Sequence, residues 1–550
     1  MIKSITIENF KGIGNELTID LKPVTLLFGG NSAGKSSILH ALQYVYEILD
    51  NRHLDAGRTQ KGGNFIDLGG FKKFVHEHEL NRTVRITIGC SELGDEFFTN
   101  LFEAMSGFLR FDEFNGGVFD CFAFFDTCKI SISVSWSHDH DRPYVSKFGL
   151  VVEEQTLLEI ESDPAGHRVL LDINDSHNTL ATLESWDAED EETVPVEEVF
   201  DDPKRSLLSF CLDEIKSFVN ADATGRLYIE LQKDALPSVE HGIKLAISRE
   251  KNYEDSDYFE SEKSLEQFVR EFQQGLNDLI TIPLQRVASD LEKIIPLGPL
   301  RETPPADFRP PRHPTPDRWA TGLAAWDLLA RDIRGHFVDE VNTWLADESR
   351  LNCGCSVHSR KEFVVDMASS TGQWLASGTG EIEEWSPEIS AALVRRSRLV
   401  LVPDKNQEIE LRASDVGTGI SQLIPVVVAA CLGEERRPEH SREVPGRLIT
   451  IEQPELHVHP RIQAELGDLF IDAWQRKNNQ FILETHSEHL ILRLQRRVRE
   501  NHISQDDIRV YYVSQADDGQ TQVSQLRLDD EGDFIDDWPG GFFPERLKEI

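Results

Sequence analysis

Eight residues, Gly29-Gly-Asn-Ser-Ala-Gly-Lys-Ser36, carry the clearest chemistry in this 550-residue chain. They fit G-x-x-x-x-G-K-[ST], in which glycines let backbone N–H groups turn inward around a chain of phosphates. Lys35 is placed to reach β- and γ-phosphates and Ser36 to ligate Mg²⁺. Gly29, Asn31, Ser32, Ala33, Gly34 and Ser37 complete the cradle. The expected ligand is ATP or GTP. A carboxylate must also hold the metal's hydration shell, and the apolar run Leu448-Ile-Thr-Ile-Glu452 ends in one. Glu452 and Ser36 are therefore the candidate metal residues.

Such a loop works between a strand that aims it and a helix whose N-terminal dipole faces the anion. Val24-Thr-Leu-Leu-Phe28 reads as that strand and residues 36–49 as that helix. Further strands are expected at 2–8, 16–20 and 83–89, with a loop at 62–78. Alternating segments at 129–136 and 149–154 follow a Phe-rich stretch at 119–125, and the acidic run 184–202 reads as a solvated loop. An amphipathic helix is expected at 264–291, with Leu265, Phe268, Phe272, Leu276 and Ile280 near one face. Residues 301–318, rich in Pro and Arg, read as a connector, and 321–345 as helical. Towards the C-terminus, strands at 398–403, 448–452, 480–484 and 508–513 interleave with helices at 419–432, 461–476 and 488–499. That alternation implies a mainly parallel, doubly wound α/β sheet.

Composition narrows the classes. The length allows several ~100–200-residue units, and the 39% apolar fraction suits a large buried core. No apolar run approaches the ~18 residues that span a bilayer. The chain opens on a strand rather than a signal peptide, and its seven cysteines are scattered, so a reduced, cytoplasmic protein without a membrane partner is expected. A net charge of −39 argues against a uniformly basic nucleic-acid binder, because its field repels phosphate. A local basic groove stays open, built from Arg395, Arg396 and Arg398 or from Arg493, Arg496, Arg497 and Arg499. The wet face of a helix is the simpler reading of the second group. Nucleic acid therefore stays among the partners to test.

Three segments together resemble a known family. The 29–36 loop, Glu452-Gln-Pro-Glu455 with its continuation Leu456-His-Val-His-Pro460, and Glu484-Thr-His-Ser487 are similar to ABC-type ATPase heads of the RecF/SMC-like group. They resemble more closely the "AAA" ATPases related to the OLD nucleases and to the PtuA subunit of the Septu anti-phage system. The resemblance covers about residues 1–90 and 290–550. It implies a P-loop NTPase fold of the ABC-head type, with an inserted α+β middle. The expected units are 1–95 (N-terminal lobe), 96–290 (inserted region with the acidic loop), 291–390 (connector and helical region) and 391–550 (C-terminal lobe). The resemblance further implies that His486 faces the γ-phosphate. Ser414-Asp-Val-Gly-Thr-Gly-Ile-Ser-Gln422 would be the signature segment, its Gly417, Gly419 and Ser421 meeting ATP held on a second head. Gly298-Pro-Leu-Arg301 and Asp537-Trp-Pro-Gly-Gly-Phe-Phe543 resemble a subset of the same ATPases.

One position departs from the pattern. Many relatives carry a second acid after the metal acid, and this chain has Gln453, which can orient water but cannot accept its proton. The catalytic set is then Glu452, Gln453, Glu455 and His486, with Glu455 or His486 helping to position water. The function this implies is binding and hydrolysis of ATP with Mg²⁺, in a homodimer or higher oligomer of paired heads. Those heads would regulate a separate HNH-type nuclease or toxin in anti-phage defence or DNA metabolism. A slow ATP-sensing scaffold and a self-sufficient OLD-like nuclease are the alternatives. Against the latter, Asp529, Asp530 and Asp533 read as a surface turn, and Cys353-Gly-Cys355 with His358 as a loop with incidental thiols. The glutamine-containing loop of ABC heads is left unassigned, with 67–71 as its candidate place.

Overall fold

The computed structural model describes residues 2–63, 66–91, 127–177, 207–230, 232–248, 262–305, 308–332, 334–377, 394–434 and 446–539. The Phe-rich stretch at 119–125 and the acidic run at 184–202 lie outside the described residues, as do the side chains at 395 and 396.

Two sheets organise the chain. Strands β1 (Ile2–Glu8), β2 (Leu17–Asp20), β4 (Val84–Ser91), β5 (Thr127–Ser137), β6 (Arg142–Val152), β7 (Gln155–Ser162), β8 (Val169–Ile173) and β9 (Leu227–Tyr228) form an antiparallel sheet in the order β2-β1-β4-β5-β6-β7-β8-β9. A second sheet runs β10 (Ile295–Leu297), β13 (Leu448–Glu452), β14 (Gln480–Thr485), β3 (Val24–Gly29), β15 (Ile508–Gln515) and β16 (Thr521–Leu526). It is parallel from β10 to β15, and only β16 is antiparallel to its neighbour. β11 (Cys355–Val364) and β12 (Val394–Pro403) form a separate antiparallel pair.

The parallel sheet matches the α/β expectation; the antiparallel sheet was not foreseen. β4 pairs with β1 along one edge and with β5, beyond residue 95, along the other, so the expected 1–95 and 96–290 units share one sheet. Local alternation marks those segments as strands but carries no information about which distant segment completes the ladder.

β3 explains why the parallel sheet must be buried on both faces. Successive side chains point to opposite sides, so Leu27 joins one hydrophobic core while Val24, Leu26 and Phe28 join the other. On the first side the helix Lys35–Asn51 packs against the long helix Glu262–Glu292. On the second side lie the helices Leu323–Arg331, His336–Leu345, Thr418–Ala430, Pro460–Lys477 and Glu488–Arg499. Parallel sheets need this double cover because both faces are apolar.

Two expected segments differ in detail. The 62–78 loop contains a short helix, Phe71–Phe74, held by aromatic contacts: Tyr44 to Phe74 at 4.7 Å and Phe71 to Trp136 at 5.8 Å between ring centres. Burial of Phe71 and Phe74 outweighs the absence of a long periodic pattern there. The single helix read at 321–345 is two, Leu323–Arg331 and His336–Leu345. Asp332 breaks it, accepting hydrogen bonds from Gly335 N at 3.0 Å and Val338 N at 2.9 Å. Gly335 has φ 83°, which a glycine tolerates at no steric cost.

Among the described residues no helix is long and apolar enough to cross a membrane. Asp529 accepts from Glu531 N and Asp533 N, as the surface-turn reading expects. The His358 ring bonds the Ser356 hydroxyl at 2.9 Å, and burial pushes the Cys353 thiol up to about 12. Arg493 pairs with Glu465 and Asp468, Arg496 and Arg497 with Glu500, Arg497 also with Asp468, and Arg499 with Asp533. Arginines committed to carboxylates have little charge left for a phosphate backbone.

Candidate active site

Three parallel strands end side by side. β14 lies between β13 and β3, with Glu452 opposite Glu484 and Thr485 opposite Phe28. Ligands in open α/β sheets bind outside such carboxyl ends. The chain leaving β3 turns at once into the glycine loop and the helix Lys35–Asn51.

The loop's glycines are required by contact as well as by conformation. Gly29 has φ 147°, and a Cβ there would sit 1.9 Å from the Val513 carbonyl oxygen. Gly34 has φ 107°, and its Cβ would fall 2.2 Å from Thr521 Oγ1. Ser32 takes the left-handed region at φ 61°. Gly30, Asn31 and Ser32 are exposed at the crown, Ala33 is buried beneath it, and Ser37 N bonds the Gly34 carbonyl at 3.0 Å.

Lys35 is 3% exposed. Its Nζ donates to the carbonyls of Gly29 at 3.1 Å and Gly30 at 2.7 Å and lies 3.6 Å from Glu484 Oε1. Burial lowers its pKa, an effect that Glu484 opposes. The Ser36 hydroxyl lies 2.7 Å from Glu484 Oε2 and 3.2 Å from Glu452 Oε2. Desolvation first, then the Glu484 charge, push the Glu452 carboxyl from 4.5 up to about 7. Lys11, between β1 and β2, adds a cation on the same side: it bonds His40 Nδ1 at 2.6 Å, and burial lowers it to about 8 against the pull of Asp67 and Glu452.

Beyond Glu452 the chain makes a tight turn. Gln453 is left-handed at φ 48°, and its N–H bonds the Glu484 carbonyl at 2.8 Å. Glu455 Oε1 accepts the His486 backbone N–H at 2.7 Å. Glu455 Oε2 and His486 Nε2 are both buried without a hydrogen-bond partner among the described residues. Burial raises Glu455; burial and then the Lys35 charge lower His486, leaving it neutral. The His486 ring lies 6.1 Å from Phe28, and Phe28 meets Trp538 at 5.2 Å.

The structure thus brings together the glycine loop, Lys35, Ser36, Glu452, Gln453, Glu455 and His486. The signature segment makes different contacts. Ser421 Oγ bonds the Thr418 carbonyl at 2.9 Å, and a Cβ on Gly419 would be 2.3 Å from the His457 carbonyl. A Cβ on Gly417 would meet nothing within 4 Å among the described residues. Sequence reasoning assigned no role to Glu484 or Arg301. The strands read at 448–452 and 480–484 each end in Glu, which was a usable signal for Glu484. Arg301 stood in a quoted motif with nothing to say that it would be buried beneath Glu452.

The Glu452 shift gives a prediction with a definite sign. Between about 4.5 and about 7 the folded protein holds a proton that the unfolded chain has released, so this group's contribution to stability falls as pH rises across that window. Denaturation in EDTA should show that fall in the parent and a shallower one in Glu452→Gln. Equal slopes for the two proteins would show that Glu452 titrates normally.

The sequence matches the AAA ATPase domain family (AAA_15) over residues 1–282 and 347–491. Residues 503–550 match a family described as a protein of unknown function (DUF3696). No curated protein matches. Among solved structures, an Smc head bound to the C-winged helix domain of ScpA aligns at a TM-score of 0.37 and 11% identity, covering 96% of this chain and 98% of that one. The Smc head with an extended coiled coil bound to the C-terminal domain of ScpA, derived from Pyrococcus furiosus, gives 0.34 and 12%, with 96% of each chain covered. The SMC head domain from Thermotoga maritima gives 0.34 and 8%, covering 96% of this chain and 99% of that one. These likenesses are too distant to carry an argument, and the assignment stands on the sequence match. With a family match spanning most of its length, the chain belongs to the AAA ATPase domain family.

Proposed function

We propose that this protein binds Mg²⁺-ATP outside the ends of β3, β13 and β14 and hydrolyses it, and that ATP-bound heads pair to control a separate effector. The observation that carries this reading is the Ser36 hydroxyl held between the Glu452 and Glu484 carboxylates beneath a glycine-lined loop. Mg²⁺ takes oxygen donors and keeps several waters, and a hydroxyl flanked by two carboxylates is an all-oxygen set that fits it. Ser36, Glu452 and Glu484 would hold the ion. When bound, Mg²⁺ supplies charge neutralisation on the phosphate oxygens.

The remaining work falls to side chains. Lys35 exchanges the Gly29 and Gly30 carbonyls for β- and γ-phosphate oxygens, a stronger charge-assisted bond. Glu455, anchored through one oxygen to His486 N, offers its other oxygen to a water and accepts its proton. That replaces the acid missing at Gln453, whose amide only orients the water. A neutral His486 carrying its proton on Nε2 donates to the γ-phosphate. Phosphoryl transfer depends chiefly on positioning and charge, so modest turnover suffices.

Gly417, Gly419 and Ser421 would meet the nucleotide of a partner head, Gly417 having open space beside it. ATP then favours the closed pair and loss of the γ-phosphate releases it. The likeness to the OLD and PtuA-type ATPases points to an HNH-type nuclease or a toxin as effector, in a cytoplasmic anti-phage or DNA-metabolic setting. Gln453 favours a second reading, an ATP-sensing scaffold that scarcely turns over. Phosphate release and plasmid nicking, followed together with Mg²⁺-ATP, separate the two. Steady phosphate without nicking supports the first, and binding without phosphate supports the second. Nicking by the protein alone would overturn the separate effector, and mass spectrometry of the native complex would identify the effector itself.

A further inference from the structure

Arg301 is buried, 3% exposed, just beyond the end of β10 and therefore beside the end of β13. Its Nη2 donates to the Glu452 carbonyl at 2.7 Å and the Gln453 carbonyl at 3.4 Å. Its Nη1 donates to the Gln422 carbonyl at 3.3 Å. The Gln422 side chain completes the tie: its Oε1 accepts Arg301 N–H at 2.8 Å, and its Nε2 donates to the Arg301 carbonyl. Gln422 lies in the first turns of the helix Thr418–Ala430 and is the last residue of the signature segment. Gly322, at φ 78°, allows this approach, since a Cβ there would be 3.0 Å from the Arg301 Cβ.

One guanidinium thus spans two pieces of backbone that ATP chemistry must bring into register: the Glu452–Gln453 turn and the start of the signature helix. A planar, five-donor group can satisfy several carbonyls at fixed angles, which a lysine ammonium does not reproduce. The turn has reason to need such a clamp, because Gln453 is held left-handed, a conformation that costs a non-glycine residue energy.

We propose that Arg301 is a positioning residue that fixes the Glu452–Gln453 turn and couples it to the signature helix through Gln422. The inference rests on the ATPase reading above. Loading of the signature segment by a partner head is then felt at the carboxylate end of β13 without either segment touching the other's ligand.

The test uses the full chain and the variants Arg301→Lys and Gln422→Leu. Hydrogen exchange by mass spectrometry reads the turn and the signature helix directly. A fluorescent non-hydrolysable ATP analogue reads binding, and phosphate release reads turnover. Arg301→Lys should bind the analogue within about threefold of the parent and turn over about a hundredfold more slowly, the cost of a misplaced catalytic group. It should speed exchange in both 452–458 and 418–424 and leave β3 protected. Gln422→Leu should do the same, and the double variant should lose little more than either alone, because the two share one task. Parental exchange in both segments of Arg301→Lys overturns the proposal, as does a loss of binding in step with turnover, which marks a merely structural residue. A parent that binds ATP without hydrolysing it, while Arg301→Lys still loosens both segments, sinks the hydrolysis reading and leaves the coupling standing.

Discussion

Lys35→Ala should lose nucleotide binding altogether within the usual assay range. The side chain is buried and already committed to three oxygen partners, the Gly29 and Gly30 carbonyls and Glu484. A triphosphate brought into the loop without it would face the Glu452, Glu455 and Glu484 carboxylates with no ammonium between them. Depriving a buried charge of its partner costs ~3–5 kcal/mol, and ~3 kcal/mol is already more than a hundredfold in affinity. Titration with a fluorescent ATP analogue measures this, and circular dichroism shows whether the fold survives. Lys35→Met, which keeps the aliphatic stem, guards against collapse of the loop. Parental affinity in a folded Lys35 variant would mean that the triphosphate lies elsewhere.

The parts of this site that were legible in the sequence are those where several local rules agree. A buried, mostly apolar strand, a glycine loop and a helix follow one another at 24–51, and each demands the next. β13 and β14 read as buried strands because their runs up to Glu452 and Glu484 are mostly apolar, with Thr450 an uncharged β-branched residue inside the first. The pairing between them was not legible. Register decides that Glu452 faces Glu484 rather than a residue one step away, and register is a long-range property. The same reason hid the antiparallel sheet, in which β1 pairs with β4 across the whole loop and helix that carry the nucleotide site.

Arg301 failed to declare itself for a different reason. Pattern reading places arginines on wet surfaces, and a buried one is an exception that only its partners justify. Those partners are backbone carbonyls, invisible in any string of side chains. Conversely, Asp332 and Gly335 were in plain view as a helix break between 331 and 336. The apolar periodicity on either side masked them.

Glu484→Gln should separate the metal from the nucleotide. The Ser36 hydroxyl has a single proton and two carboxylate neighbours, at 2.7 and 3.2 Å, so it satisfies one of them at a time. A divalent ion taking oxygen donors would serve both. Removing the Glu484 charge should weaken Mn²⁺ binding, read by electron paramagnetic resonance with an ATP analogue present, by about ten- to a hundredfold. Analogue binding in EDTA should hold or tighten, because the triphosphate meets one carboxylate fewer. The change should also reach Glu452. Its neighbour's charge is the second cause holding it up at about 7, so the pH dependence of stability should shift towards ordinary carboxylate values. Glu484→Asp, one methylene shorter, should bind Mn²⁺ between the two. If Glu484→Gln instead holds Mn²⁺ like the parent and only loosens the nucleotide, Glu484 is the counter-ion of Lys35 and the metal rests on Glu452 and Ser36.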